Sequence, residues 1–143
     1  MVTTLASIYR YPIKGLTAEP MDRADLAVGH GIAHDRRFAV AHGSVRFDPA
    51  TPEWLPKTNF LQLMRNERLA QLVTRFDPAT GILTIERDGK VVVRANTGDA
   101  SGRMVIEQFF AAYMGSECRG TPRLLEAENH MFSDVAPKVV SLI

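Results

Sequence analysis

Three short runs in the middle of the chain restrict its fold more than any other feature. Residues 71–76, 82–87 and 90–95 each read as a strand, and the links between them are turn chemistry. Asp77-Pro78-Ala79-Thr80-Gly81 joins the first pair and Asp88-Gly89 the second. Asp-Gly suits a type I′ turn, whose two central residues both need positive φ. The segment therefore predicts a three-strand antiparallel meander. Beyond it the period changes. Val105, Ile106, Phe109, Phe110 and Tyr113 recur at helical spacing, and Gly115 stands where a cap glycine belongs. This predicts one main helix over about 102–114, with an apolar stripe that covers a sheet or barrel end.

The flanks add shorter elements. Residues 5–11 are apolar and aromatic and stop at Pro12, which reads as a first strand. Residues 18–28 suggest a second strand and residues 36–41 a third, with Gly29-His30-Gly31 a flexible loop between them. His42-Gly43-Ser44 turns the third strand back into 45–47. Pro49, Pro52 and Pro56 make 48–58 a loop. Phe60, Leu61, Leu63 and Met64 fit a short helix reaching toward Leu69, and 123–126 a short strand. Residues 139–143 form an apolar strand that stops with the chain; it is either a last strand tucked into a core or one cut short. The fold class is mainly β (α+β): a small, partly open β-barrel or bent antiparallel sheet with one main helix.

Composition excludes several classes. A formal net charge of +1 gives no field that favours nucleic acid or an anionic membrane, and the basic residues do not alternate with aromatics. The single cysteine, Cys118, excludes an internal disulfide and a CxxC metal site, and suits a cytoplasmic location. No signal peptide and no membrane-spanning run is present in the sequence.

Few residues could carry chemistry. Lys14, in Tyr11-Pro12-Ile13-Lys14-Gly15, sits between a strand end and a glycine turn. From local sequence the plainer reading is a solvated loop lysine; the other is a lysine reaching toward a ligand beside turn N–H groups. Asp35-Arg36-Arg37 opens the third strand, so alternation turns one arginine inward and the other away. The inward one is either a bidentate anion binder or half of a structural Arg–Asp pair. His30 and His34 lack helical geometry, and with His42 and His130 they read as surface or loop histidines. Cys118 follows a helix C-terminus, whose dipole disfavours a thiolate, and reads as a small structural residue. No histidine is placed to make a triad with Ser133-Asp134, and Arg65–Arg68 reads as a solvated face.

Order and spacing say more than any one piece. Tyr11-Pro12-Ile13-Lys14-Gly15, then Gly29-His30-Gly31-Ile32, then Asp35-Arg36-Arg37-Phe38 resembles the YPxKS…G…DRxF opening of the MOSC N-terminal β-barrel domain. Phe132-Ser133-Asp134-Val135-Ala136-Pro137 followed by Val139-Val140-Ser141-Leu142-Ile143 is similar to the start of the MOSC domain proper. The resemblance implies an N-terminal barrel domain over 1–128 and the beginning of a truncated MOSC domain over 129–143. It implies the molybdenum cofactor in its molybdopterin form, held in part by Lys14, Gly15 and Arg36. It also implies a reductase of N-hydroxylated compounds, like the amidoxime-reducing components, or a role in sulfur transfer. Gly15 stands where the family has a serine, so a hydroxyl contact is lost there.

The family's metal-binding cysteine lies beyond position 143, and Cys118 does not match it. The expectation is a chain with no catalytic residue and no metal ligand of its own, inactive alone and not holding the cofactor tightly. Its partners would be the rest of the MOSC domain and an electron-donor protein or domain, with no nucleic acid and no membrane. The competing expectation is a stand-alone, non-catalytic β-barrel binding or scaffold domain.

Overall fold

The computed structural model describes residues 2–140. Its strands are β1 (Ile8–Arg10), β2 (Glu19–Met21), β3 (Phe38–Ala41), β4 (Leu72–Asp77), β5 (Ile82–Arg87), β6 (Lys90–Asn96) and β7 (Arg123–Glu126), with one helix, α1 (Ala100–Met114), between the last two. They form three antiparallel sheets, β1-β2, β3-β7 and β4-β5-β6, which do not close into a barrel. The architecture is mostly sheet with one main helix, as the sequence pattern predicts.

The meander forms because its sequence agrees with itself at every level. Leu72, Thr74 and Phe76 are buried on β4 while Val73, Arg75 and Asp77 face out. Asp88 and Gly89 have φ of 52° and 75°, the signs a type I′ turn requires. Register runs from Leu72↔Arg87 to Asp77↔Ile82, and from Ile82↔Asn96 to Arg87↔Lys90 with a bulge at Ile85/Glu86. Asp99 then caps α1, its carboxylate accepting the Gly102 N–H at 2.6 Å. Gly102 lies against β6 so closely that a Cβ there would stand 1.9 Å from the Asn96 carbonyl oxygen. The helix buries Ile106, Phe110, Tyr113 and Met114 but leaves Val105 exposed, so the apolar stripe is narrower than the spacing suggests.

β3 is buried along its whole length because a core lies on each of its faces. Alternation sends Phe38 and Val40 into the cluster formed with the meander and α1, which also holds Phe76, Ile85, Ile106 and Phe110. Ala39 and Ala41 enter a second cluster with Val45, Phe60, Leu125 and Phe132. A fully buried phenylalanine such as Phe38 contributes about 2–3 kcal/mol of burial free energy, and its ring meets Phe76 edge-on at 5.1 Å.

Several flanking expectations are corrected. The first and second strands shrink to three residues each, because Pro12 ends β1 and nothing pairs beyond Met21; Leu26 and Val28 are exposed. The third strand starts at Phe38, since Arg36 adopts a left-handed conformation with φ 47°. Residues 45–47 are not a return strand: β3 pairs with β7, in register Phe38↔Glu126 to Ala41↔Arg123. The expected helix after Phe60 is absent. Phe60 makes an isolated bridge to Ala41, Leu61 N–H donates to Val40, and only a 3-10 segment forms at Glu67–Gln71. Tertiary pairing along β3 outweighs the weak local spacing there. Of the expected terminal strand, Val139 and Val140 are irregular, and Ser141, Leu142 and Ile143 lie outside the described residues. Among the described residues no helix is long and apolar enough to cross a membrane.

Candidate functional site: a cationic cleft

Two distant segments lie side by side and bring the motif residues together. Residues 11–14 run parallel to 36–38. Arg36 N–H donates to the Tyr11 carbonyl at 2.5 Å, Phe38 N–H to Pro12 at 3.0 Å and Lys14 N–H to Phe38 at 2.9 Å. Asp35 closes the arrangement, accepting the Tyr11 N–H at 2.7 Å and an Arg36 guanidinium N–H at 2.5 Å. The Arg36 carbonyl in turn accepts the Phe132 N–H at 2.9 Å. Arg36 is thus tied from both sides, which accounts for a φ of 47° at a residue with a Cβ.

The result is a cleft of about 400 Å³ whose lining includes Tyr11, Lys14, Gly15, Arg36, Lys57 and Asp134. Lys14 is only 6% exposed, so the reading as a solvated loop lysine is wrong. Its Nζ donates to the Phe132 carbonyl at 3.1 Å and to Asp134 Oδ1 at 2.5 Å, and lies 5.9 Å from the Phe60 ring centre. The Arg36 guanidinium stacks over Tyr11 at 4.7 Å. Gly15 has φ 76°, and a Cβ there would stand 2.9 Å from the Leu61 carbonyl oxygen and 3.0 Å from Gln62 Cα. The glycine is therefore required by the backbone, which presses directly on the 61–62 segment.

Charge in the cleft converges on one group. The hydrogen bond from Lys14 holds the Asp134 carboxyl below the ordinary carboxylate value; partial burial opposes this, and the charges of Lys14, Lys57 and Arg36 add to it. Such a constellation can bind a phosphate or carboxylate group.

The two arginines of the motif do part company, as alternation predicts, but the left-handed Arg36 does it rather than a strand. Arg37 leaves the cleft for a second cavity of about 730 Å³, where it bonds Glu126 at 2.5 Å and His34 Nδ1 at 3.1 Å. His30 and His130 also line that cavity. Burial lowers the His34 pKa, helped by the charges of Arg37 and Arg10. Among the described residues no group of three or more His, Cys, Asp or Glu could hold a metal ion. Cys118 lies in the core with Sγ 3.5 Å from the Phe110 carbonyl, and burial followed by the charge of Glu117 pushes its thiol up.

Lys14, Gly15 and Arg36, named from sequence, all line this cleft. Lys57 and Tyr11 were missed as site residues, and Asp134 was read as a triad candidate and as part of the Phe132–Pro137 motif but not as a residue of the cleft. Lys57 carries no local signal, standing in a proline-flanked 3-10 turn; Asp134 sits next to the buried Phe132-Ser133, which marks it as held against the body of the fold.

No curated protein and no solved structure matches the chain significantly. The family model for the MOSC N-terminal beta barrel domain matches residues 2–133. That stretch includes the Tyr11–Gly15 and Asp35–Arg37 segments that build the cleft, and the chain belongs to the MOSC N-terminal β-barrel family.

Proposed function

We infer that this chain is the N-terminal portion of a molybdenum-cofactor-binding MOSC protein, and that its cleft holds the phosphate end of the pterin. The carrying observation is the convergence of Lys14, Lys57 and Arg36 on Asp134 in one cleft. The donor set fits a pterin phosphate: an ammonium and a guanidinium meet a dianion, and Gly15 brings bare backbone to the wall. It does not fit the metal end, because the one cysteine is buried in the core.

The cofactor, when bound, supplies the redox chemistry of an oxidoreductase acting on N-hydroxylated or related small molecules, as in the amidoxime-reducing components. The residues of this chain bind and orient its anionic end. Lys14 offers a desolvated charge, and Arg36, fixed by Asp35 and Tyr11, offers a rigid one. The metal ligand and the substrate contacts belong to the rest of the MOSC domain, and electrons come from a donor protein or domain in the cytoplasm. On this reading the 143-residue chain alone does not turn over substrate.

The test is pterin content. The full-length protein and its Lys14→Ala/Arg36→Ala variant are purified from a host that makes the cofactor, and the released, oxidised pterin is measured by fluorescence. Loss of pterin in a variant with an unchanged circular-dichroism spectrum is the expected result. Full occupancy in the variant overturns the assignment.

A further inference from the structure

Asp134 is at odds with a site built to receive an anion, because it already places a carboxylate on the key lysine. Its Oδ1 is 2.5 Å from Lys14 Nζ, yet its side chain is 70% exposed while that of Lys14 is 7% exposed. The carboxylate therefore enters from the solvent side and takes one N–H of the ammonium beside the one donated to the Phe132 carbonyl. The segment that carries it is fastened just upstream. Phe132 is buried in the second core cluster, its N–H bonded to Arg36, and the Ser133 carbonyl accepts the Trp54 indole N–H at 3.0 Å. Downstream, Ser133 Oγ donates to the Val135 carbonyl at 2.6 Å and folds the next residues into a tight turn. Residues 134–137 are exposed. Asp134 is thus the first residue past a fixed point, with its side chain mostly in solvent.

We propose that Asp134 is a resident anion of the cleft: it latches onto Lys14 when the site is empty and must be displaced when a phosphate group binds. The inference rests on the anion-binding reading of the cleft and goes beyond it, because it gives the site a built-in competitor. A phosphate dianion wins the exchange because it meets Lys14, Arg36 and Lys57 together, whereas Asp134 has its hydrogen bond with Lys14 alone. A single carboxylate arriving from solution exchanges like for like and gains little. The latch also neutralises a buried lysine in the empty protein, where an unpaired charge is costly.

The experiment is calorimetric titration of inorganic phosphate into the wild-type chain, Asp134→Asn and Lys14→Met at pH 7 and constant ionic strength. The expected result is that Asp134→Asn binds phosphate about fivefold more tightly than wild type, the size of an ion pair with one exposed partner, and that Lys14→Met binds it more weakly. Equal affinities for wild type and Asp134→Asn, with loss in Lys14→Met, leave the anion site standing and overturn the latch. Weaker binding by Asp134→Asn makes Asp134 part of the ligand shell and also overturns it. No binding by wild type or Asp134→Asn removes both the anion site and the latch.

A second measurement needs no variant. The carboxyl carbon resonance of Asp134 is followed at pH 7 while inorganic phosphate is added. Lys14, Lys57 and Arg36 are the charged groups facing it. The latch requires the resonance to move toward that of an unpaired, solvated carboxylate along the same saturation curve as the calorimetric binding. A resonance that stays unchanged while phosphate binds refutes displacement.

Discussion

Replacing Gly15 by serine is expected to damage the protein rather than improve its site. Gly15 has φ 76°, and an added Cβ meets two backbone atoms, the Leu61 oxygen at 2.9 Å and Gln62 Cα at 3.0 Å. A side chain held in the left-handed region costs about 1 kcal/mol, and forcing backbone apart at a contact this short costs about 1–3 kcal/mol. Against this, replacing glycine restricts the unfolded chain and returns about 0.4–1 kcal/mol. The net expectation is a loss of about 2 kcal/mol, or a fall in Tm of about 6–8 °C for a chain of this size. The assay is urea unfolding followed by far-ultraviolet circular dichroism, with Gly15→Ala beside Gly15→Ser. The two variants share the Cβ and differ by the hydroxyl, so they should lose stability equally and neither should gain affinity for phosphate. The reasoning fails if Gly15→Ser matches wild-type stability, or if it is far more stable than Gly15→Ala, which would mean that the hydroxyl makes a contact the backbone allows.

The remaining expectations follow from single contacts. Gly102→Ala should destabilise by about 2 kcal/mol although alanine favours a helix by about 1 kcal/mol, because the new Cβ would lie 1.9 Å from the Asn96 carbonyl oxygen; a urea midpoint at or above that of wild type refutes the packing. Asp35→Ala should cost about 1–3 kcal/mol by stranding the Tyr11 N–H and freeing Arg36, whereas Arg36→Ala should cost less than 1 kcal/mol and weaken phosphate binding; the reverse order in thermal melts and calorimetry would make Arg36 the structural partner. The hydrogen bond from Lys14 holds the Asp134 carboxyl, in the folded chain, below the ordinary carboxylate value of the unfolded chain. Its pairing with Lys14 therefore contributes stability above that unfolded value, which is lost as pH falls through the lower folded value. The small Tm advantage of wild type over Asp134→Asn should be present at pH 7 and shrink as pH falls through the lowered folded value; an advantage that does not shrink on acidification contradicts the pairing.

What was legible in the sequence is what local chemistry decides. The meander needs only its alternation and an Asp-Gly turn, and α1 only its apolar spacing and flanking caps, so both stand close to where the pattern puts them. Residues 60–69 failed for the opposite reason. Their spacing is weakly helical, but Leu61 N–H is taken by Val40 and Phe60 bridges Ala41, contacts between segments about twenty residues apart. The cleft was half legible. Lys14, Gly15 and Arg36 fall in motifs, while Lys57 and Asp134 reach the same cleft from positions far along the chain. No spacing rule predicts that a lysine at 14 will meet an aspartate at 134, because the meeting depends on Phe132 filling the second core cluster.

The Asp35-Arg36 pair shows why the structural and functional readings of a charged motif need not compete. Asp35 is nearly buried and has two duties already met: it takes the Tyr11 N–H and one Arg36 N–H. That is a structural role, since it fixes the chain leading to Lys14 beside the chain leading to Phe38. Arg36 has the opposite standing. One of its five guanidinium N–H groups is spent on Asp35, its face lies on Tyr11, and its side chain is still 28% exposed at the cleft. The carboxylate cancels part of the guanidinium charge but removes its freedom, and an arginine held in one rotamer loses little entropy when an anion arrives. The left-handed backbone at Arg36 then has a clear effect: it turns Arg36 into the cationic cleft and sends Arg37 to Glu126 on the other side. One strained residue thus separates a pair of adjacent arginines into one that pairs with Glu126 of β7 and one that lines the cleft proposed to take an anion.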